Sequence, residues 1–351
     1  MSRYNTRRSA NFVTHWIRAY EETHARTDEA GKDAGPFRLG ALFEEPGGGT
    51  PDPARIREIA DRLVRDAAAA YTAHPPYPEV TISHGEGRFA SLLAGEGFGD
   101  AARFSYFPAR GRAGKPAVVI IHHWNAEPKN YNIFGKLFSM LGITTVVMTL
   151  PHHGSRGDGS AMANRFLNAN VSDTVRSVRL AVLDVQVAVH WLKASGAGDV
   201  GVLGISLGSC VAALAAAFNP QIRAAVLFLS AGDFASVVWT GRATRHIRKA
   251  MEGHISLKTL QSLWAVISPD CFVDRFAEAG TKFLLLWARH DQVVLPGLTL
   301  EFLDRLKQAR ADVVSAGLPC GHYSFGEPPF SIFALVRGFL FLRRRLRASD
   351  G

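Results

Sequence analysis

The distribution of apolar positions divides the chain into two regimes. Before about residue 79 the pattern is helical: Ile56, Ile59, Leu63 and Val64 recur at spacings that place them on one helix face. They follow Asp52-Pro53, an N-cap residue with proline at the first helical position. The loop ahead of them, residues 44–53, is rich in Gly and Pro. Residues 1–78 therefore read as a helical N-terminal extension.

From residue 79 onward short apolar runs alternate with amphipathic stretches. Residues 80–83 and 104–107 are weak strand candidates, whereas 117–121 (AVVII) is a strong one, a run rich in β-branched residues bounded by Gly114 and Pro116. A helix around 133–140, a strand over 143–150, a polar loop over 151–170 and a helix over about 173–193 follow. Then come strand 200–203, helix 207–218, strand 224–229, a mostly helical insertion at 234–280, strand 282–287, helix 298–308, a short strand at 312–315 and a terminal helix. Strands this uniformly apolar must be covered on both faces, so the fold class is α/β, with a mostly parallel central sheet and helices on both sides. Residues 79–351 read as one α/β domain. The insertion carries Trp239, Met251, Leu260 and Trp264, and reads either as a cap over a site or as plain packing.

Composition narrows the picture little. With 351 residues, 47% of them apolar, the chain is neither disordered nor a small disulfide scaffold. Cys210, Cys271 and Cys320 are too few and too scattered for a disulfide framework or a thiolate metal site, which fits a reducing, cytoplasmic setting. Cys210 and Cys320 read as packing residues. Arg7-Arg8 precede no apolar stretch of signal-peptide length, since His15, Arg18, Glu21 and Glu22 interrupt it. The apolar run 330–342 is broken by Arg337 and falls short of the ~20 residues of a membrane span, so a buried helix is expected. The net charge of +9 is densest at Arg343, Arg344, Arg345 and Arg347, where cations complement a helix C-terminus. Without a zinc-finger or recognition-helix pattern this reads as a solvated basic face, and no nucleic-acid partner is expected.

The chemistry concentrates at residues 204–208, Gly-Ile-Ser-Leu-Gly, a GxSxG match set between the apolar strand DVGVL and the small-residue helix SCVAALAAAF. A serine on so tight a strand-to-helix turn projects above the strand end, and glycines two residues to either side let strand and helix approach. The Leu207 NH then lies at a helix N-terminus, where developing negative charge is favoured. The pairs His122-His123 and His152-His153 lack metal-site spacing, so no metal is expected.

In this strand, turn and helix the sequence resembles the α/β-hydrolase superfamily, over roughly residues 79–345. The resemblance implies an acid after a late strand and a histidine later still. Asp291, in Arg289-His290-Asp291-Gln292 after the strand FLLLWA, matches the acid, and His322, in Cys320-Gly321-His322-Tyr323, matches the base. Asp233, in Ser230-Ala-Gly-Asp, is the rival acid; the bland alternative makes Asp291 a helix cap and His322 a loop histidine. The second oxyanion donor implied is the NH of Trp124, in His122-His123-Trp124-Asn125, where His123 stands at the family's usual glycine. His123, His153 and Arg156 are candidate substrate contacts, with a loop salt bridge the alternative for Arg156. The implied activity is cofactor-free hydrolysis of a small-molecule carboxylic ester. The same residues would serve a thioesterase, acyltransferase, peptidase or cofactor-free haloperoxidase, and a non-catalytic ligand binder is the reading from a different class.

Overall fold

Apolar runs flanked by turn residues become strands, and the most apolar of them lie at the centre of one sheet. The computed structural model describes residues 2–29, 32–44, 52–93, 101–111, 114–156 and 160–347; most of the Gly- and Pro-rich loop 44–53 lies outside them. Among the described residues the strands are β1 (Thr81–Ser83), β2 (Glu86–Ala90), β3 (Ala101–Phe107), β4 (Ala117–Ile121), β5 (Thr144–Thr149), β6 (Val200–Ile205), β7 (Ile222–Phe228), β8 (Lys282–Ala288) and β9 (Asp312–Leu318). Their order is β1-β2-β3-β5-β4-β6-β7-β8-β9. Pairings from β1 to β5 are antiparallel; those from β5 through β4 to β9 are parallel.

The helices are α1 (Ser2–Glu29), α2 (Pro53–Arg65), α3 (Ala67–Tyr71), α4 (Asn132–Met140), α5 (Val171–Ala194), α6 (Leu207–Ala217), α7 (Phe234–Thr240), α8 (Arg245–Met251), α9 (Leu257–Leu263), α10 (Val273–Ala279), α11 (Pro296–Gln308) and α12 (Phe330–Arg345). Alternate residues of the central strands enter two cores. Val119, Ile121 and Val202 join α5, α6 and α11 on one face, while Val118, Ile120 and Leu203 join α4 and α12 on the other. No helix among the described residues is long and apolar enough to cross a membrane.

The chain leaves β4 for β5 on one side and returns to β6 on the other. The loops after β4 and β6 therefore part at the carboxyl edge of the sheet, where open α/β sheets bind ligands. Two further segments converge on this edge. The insertion 234–280 forms α7 to α10, with Trp264 and Leu263 fully buried. The N-terminal segment packs beside it: the Tyr71 hydroxyl donates to the Val266 carbonyl at 2.9 Å, and α1 buries Ile17, Glu21 and Ala25 along one face.

Candidate active site

The geometry begins with β6, a strand buried almost to its end, which delivers Ser206 into a backbone conformation of φ 52°, ψ −119°. A non-glycine residue in this region is strained, and the surroundings hold it there. The Ser206 NH donates to the Phe228 carbonyl at 2.9 Å, and its own carbonyl accepts from the NH and hydroxyl of Ser209 at 2.8 and 2.6 Å. The flanking glycines are required by space. A Cβ at Gly204 would overlap the Gly208 carbonyl, and one at Gly208 would overlap the carbonyls of Ile121 and His122.

Two loops from the other half of the sheet meet this serine. The Ser206 Oγ lies 3.1 Å from His322 Nε2, and His322 Nδ1 lies 2.8 Å from Asp291 Oδ2. Asp291 is buried, and its other oxygen accepts from the NH groups of Val293 and Val294, each at 2.8 Å, which fixes the carboxylate plane. With a carboxylate facing Nδ1, the proton of neutral His322 belongs on Nδ1 and Nε2 is free to accept from the serine. Burial alone would lower the imidazole pKa, but the Asp291 charge, the hydrogen bond to it, and the nearby Glu21 and Asp28 outweigh burial and raise it above the ordinary value. Asp233 lies elsewhere, capping α7 through the Ser236 NH at 3.1 Å and accepting from Gln261.

The loop after β4 lines the same cavity as Ser206 and His322. Among the described residues, no acceptor takes the NH of Leu207, at the start of α6, or that of Trp124. The next NH, of Asn125, is already donated to His153 Nε2 at 3.2 Å. His122 is fully buried, with Nδ1 against the His123 carbonyl and Nε2 accepting the Leu150 NH. The Trp124 indole donates to the Ala163 carbonyl at 2.9 Å and stacks on His246, with Lys32 Nζ 4.3 Å from the ring centroid.

The three candidate substrate contacts separate. His123 lines the cavity beside Ser206, its Nδ1 paired with the Tyr131 hydroxyl. His153 does not face it. It is buried behind the loop, and both its ring nitrogens serve backbone groups, the Pro151 carbonyl and the Asn125 NH. Burial pushes its pKa down to about 4, so it acts as a neutral strut. Arg156 follows the salt-bridge alternative and not the substrate contact: its guanidinium turns inward to Asp184 on α5 at 2.7 Å and to the Thr149 carbonyl, both charged side chains being almost wholly buried.

Two cavities open on Ser206. The larger, of about 450 Å³, runs between α4 and α12 and is walled by Tyr131, Phe134, Phe228 and Leu335. A small one of about 60 Å³ lies toward α6 and α7, walled by Cys210, Phe234, Val238 and Val294. Tyr20, His24 and Asp28 of α1 also line the larger cavity, and none of them was a candidate from sequence. A signal was present: Ile17, Glu21 and Ala25 form a stripe at four-residue spacing with a carboxylate in the middle, an arrangement a merely amphipathic helix has no use for.

Known proteins share this architecture. Residues 123–251 match the family model described as alpha/beta hydrolase domain containing 18. An uncharacterized protein of Mycobacterium tuberculosis, Rv2627c, is 26% identical over 241 residues, a match covering 65% of this chain and 55% of that protein. The chain thus spans a little over half the length of the curated relative it matches. Among solved structures, acetyl xylan esterase 1 from Thermoanaerobacterium sp. JW/SL YS485 is similar with a TM-score of 0.62 at 16% identity, over 86% of this chain and 99% of that one. The Pyrococcus horikoshii acylaminoacyl peptidase is similar with a TM-score of 0.58 at 14% identity, over 79% of this chain and 43% of that one. At these identities the likeness is one of fold.

Proposed function

We propose, for a chain that belongs to the α/β-hydrolase superfamily, that it is a serine hydrolase cleaving a carboxylic ester through an acyl-enzyme. The observation that carries this reading is the hydrogen-bonded series Ser206, His322, Asp291, with the serine at a strained elbow. In the first step Ser206 Oγ attacks the substrate carbonyl carbon while its proton passes to His322 Nε2, and Asp291 stabilises the imidazolium. The NH groups of Leu207 and Trp124 donate to the developing oxyanion, which the N-terminus of α6 also favours. Collapse breaks the bond to the leaving oxygen, which takes the proton from His322 and departs as the alcohol. A water molecule, deprotonated by the same imidazole, then attacks the acyl-enzyme and releases the acid and free Ser206. The apolar walls of the larger cavity favour an uncharged organic group. No cofactor enters any of these steps.

The names of the structural neighbours, an esterase and a peptidase, both describe acyl transfer and support the class, and they leave the leaving group open. The test is covalent labelling with a fluorophosphonate, the modified residue located by peptide mass spectrometry, followed by turnover of matched ester, thioester and amide substrates. The expected result is label on Ser206 and fastest turnover of the ester, with Ser206→Ala lowering kcat by at least about 10³-fold. A chain that binds a ligand unchanged and takes no label would be a binding protein on a hydrolase scaffold. Faster turnover of thioester or amide would reassign the substrate and leave the machinery standing.

A further inference from the structure

A buried carboxylate outside the proposed triad lies against the histidine loop. Glu21 on α1 is 2% exposed, and its two oxygens accept from the Tyr323 NH at 3.2 Å, the Ser324 NH at 2.8 Å and the Ser324 hydroxyl at 2.8 Å. That hydroxyl oxygen in turn accepts from the Gly321 NH at 2.9 Å. The backbone on both sides of His322 is thus tied, directly or through one side chain, to a single carboxylate. The approach is close enough that a Cβ at Gly321 would overlap the Glu21 side chain. Among the described residues no lysine or arginine pairs with Glu21, so backbone NH groups are what compensate the cost of burying its charge. An apolar residue between Ile17 and Ala25 would dock α1 as well; a carboxylate there needs another reason.

We infer that Glu21 is a positioning residue for the reaction proposed above: by holding the turn that carries His322, it keeps the imidazole within hydrogen-bond reach of Ser206, which makes α1 a working part of the site. The inference rests on the hydrolase reading. Its physical basis is that a shift of about 1 Å in a reacting group costs on the order of 10²-fold in rate. A turn held only by its own chain has freedom of that size. Among the described residues, Asp291 from the loop after β8, Glu21 and Asp28 from α1, His123 from the loop after β4 and the adjacent Tyr323, its ring edge-on to the imidazole, are titratable groups that face it. Removing the Glu21 charge therefore also acts on His322 in a known direction. The neighbouring Glu22 does different work, pairing with Arg242 of the insertion 234–280.

The test compares Glu21→Gln, Glu21→Asp, Ser324→Ala and Glu22→Ala in the full chain. It reads kcat and KM on p-nitrophenyl acetate across pH, together with the rate of fluorophosphonate labelling. Glu21→Gln puts an amide where the carboxylate accepts from three donors, and its kcat should fall about 10- to 100-fold with KM changed less than about threefold. Labelling should slow in parallel, and the acid limb of the pH profile should move to lower pH. Glu21→Asp should recover part of the loss, and Ser324→Ala, which frees the Gly321 NH, should show a smaller loss of kcat in the same direction. Glu22→Ala should stay within about twofold of wild type. A folded Glu21→Gln with wild-type kcat and an unmoved acid limb overturns the inference. If that variant does not fold, wild-type kcat in Ser324→Ala overturns it instead. A wild-type chain that neither turns over ester nor takes the label sinks the hydrolase reading and this inference with it. A labelled, active wild type with an indifferent Glu21→Gln sinks this inference alone.

Discussion

An imidazole protonated on both ring nitrogens cannot take a proton from a serine. Because Asp291 and its neighbours hold the His322 pKa above the ordinary value, the proposed reaction should be slow at low pH and rise as pH passes through that raised value. Asp291→Asn removes the charge and the acceptor that selects the tautomer. Its acid limb should move to lower pH while kcat falls by about 10²- to 10⁴-fold, read from kcat/KM profiles of the two proteins. An unmoved limb would mean that Asp291 is not the partner that sets this titration. At this scale Ser206, Asp291 and His322, which the fold joins in one hydrogen-bonded series, were legible in the sequence through the elbow motif and the α/β-hydrolase resemblance. Arg156 was not, because its partner Asp184 lies inside a helix whose apolar pattern hides a charge. His153 was not, because its role is to accept one backbone NH, a contact that leaves no periodic trace.

At the scale of elements, the site depends on how closely α6 approaches the end of β4. Gly208 sets that distance, since any side chain there would press on the carbonyls of Ile121 and His122. Gly208→Ala should therefore lower stability by about 1–3 kcal/mol in denaturant unfolding and slow labelling of Ser206 as well. Loss of stability without loss of labelling would show that the loop carrying Trp124 is not positioned through this contact. The central strands were readable because each is a run of apolar residues with no polar face. β2 was not: Glu86–Ala90 buries only Gly87 and Phe89, and its hairpin turn is made by His84 and Gly85, both at positive φ. The place of α1 was equally hidden. Its helical period is plain, but Glu21 in the middle of the buried stripe bonds a turn some 300 residues away, accepting from the Ser324 NH at a separation of 303.

The whole molecule gathers unusual numbers of buried neutral histidines at the carboxyl edge of its sheet. His122 is pushed well below the ordinary imidazole value, and His152 and His153 down to about 4, in each case first by burial. The unfolded chain binds protons at these rings more readily than the folded one, so stability from them is full above about pH 6.5 and is lost as pH falls toward 4. His322, with its raised pKa, acts in the opposite sense, adding stability that is present below the unfolded value and lost as pH rises through the folded one. Among the described histidines six rings are lowered (His122, His123, His152, His153, His190 and His246) against one raised, which makes this set acid-labile, on the order of 2 kcal/mol for each of the buried His152 and His153 between pH 6.5 and 5. Urea unfolding at the two pH values checks it; equal or greater stability at pH 5 would contradict the account.

The acyl-enzyme itself is the most direct object to measure. The wild-type chain is mixed with p-nitrophenyl acetate, quenched in acid within the first turnover, and weighed intact and as peptides. The account predicts one added acetyl group on the peptide that contains Ser206, appearing in step with the nitrophenol burst and absent from Ser206→Ala. Turnover with no adduct, or an adduct that persists in Ser206→Ala, would contradict it.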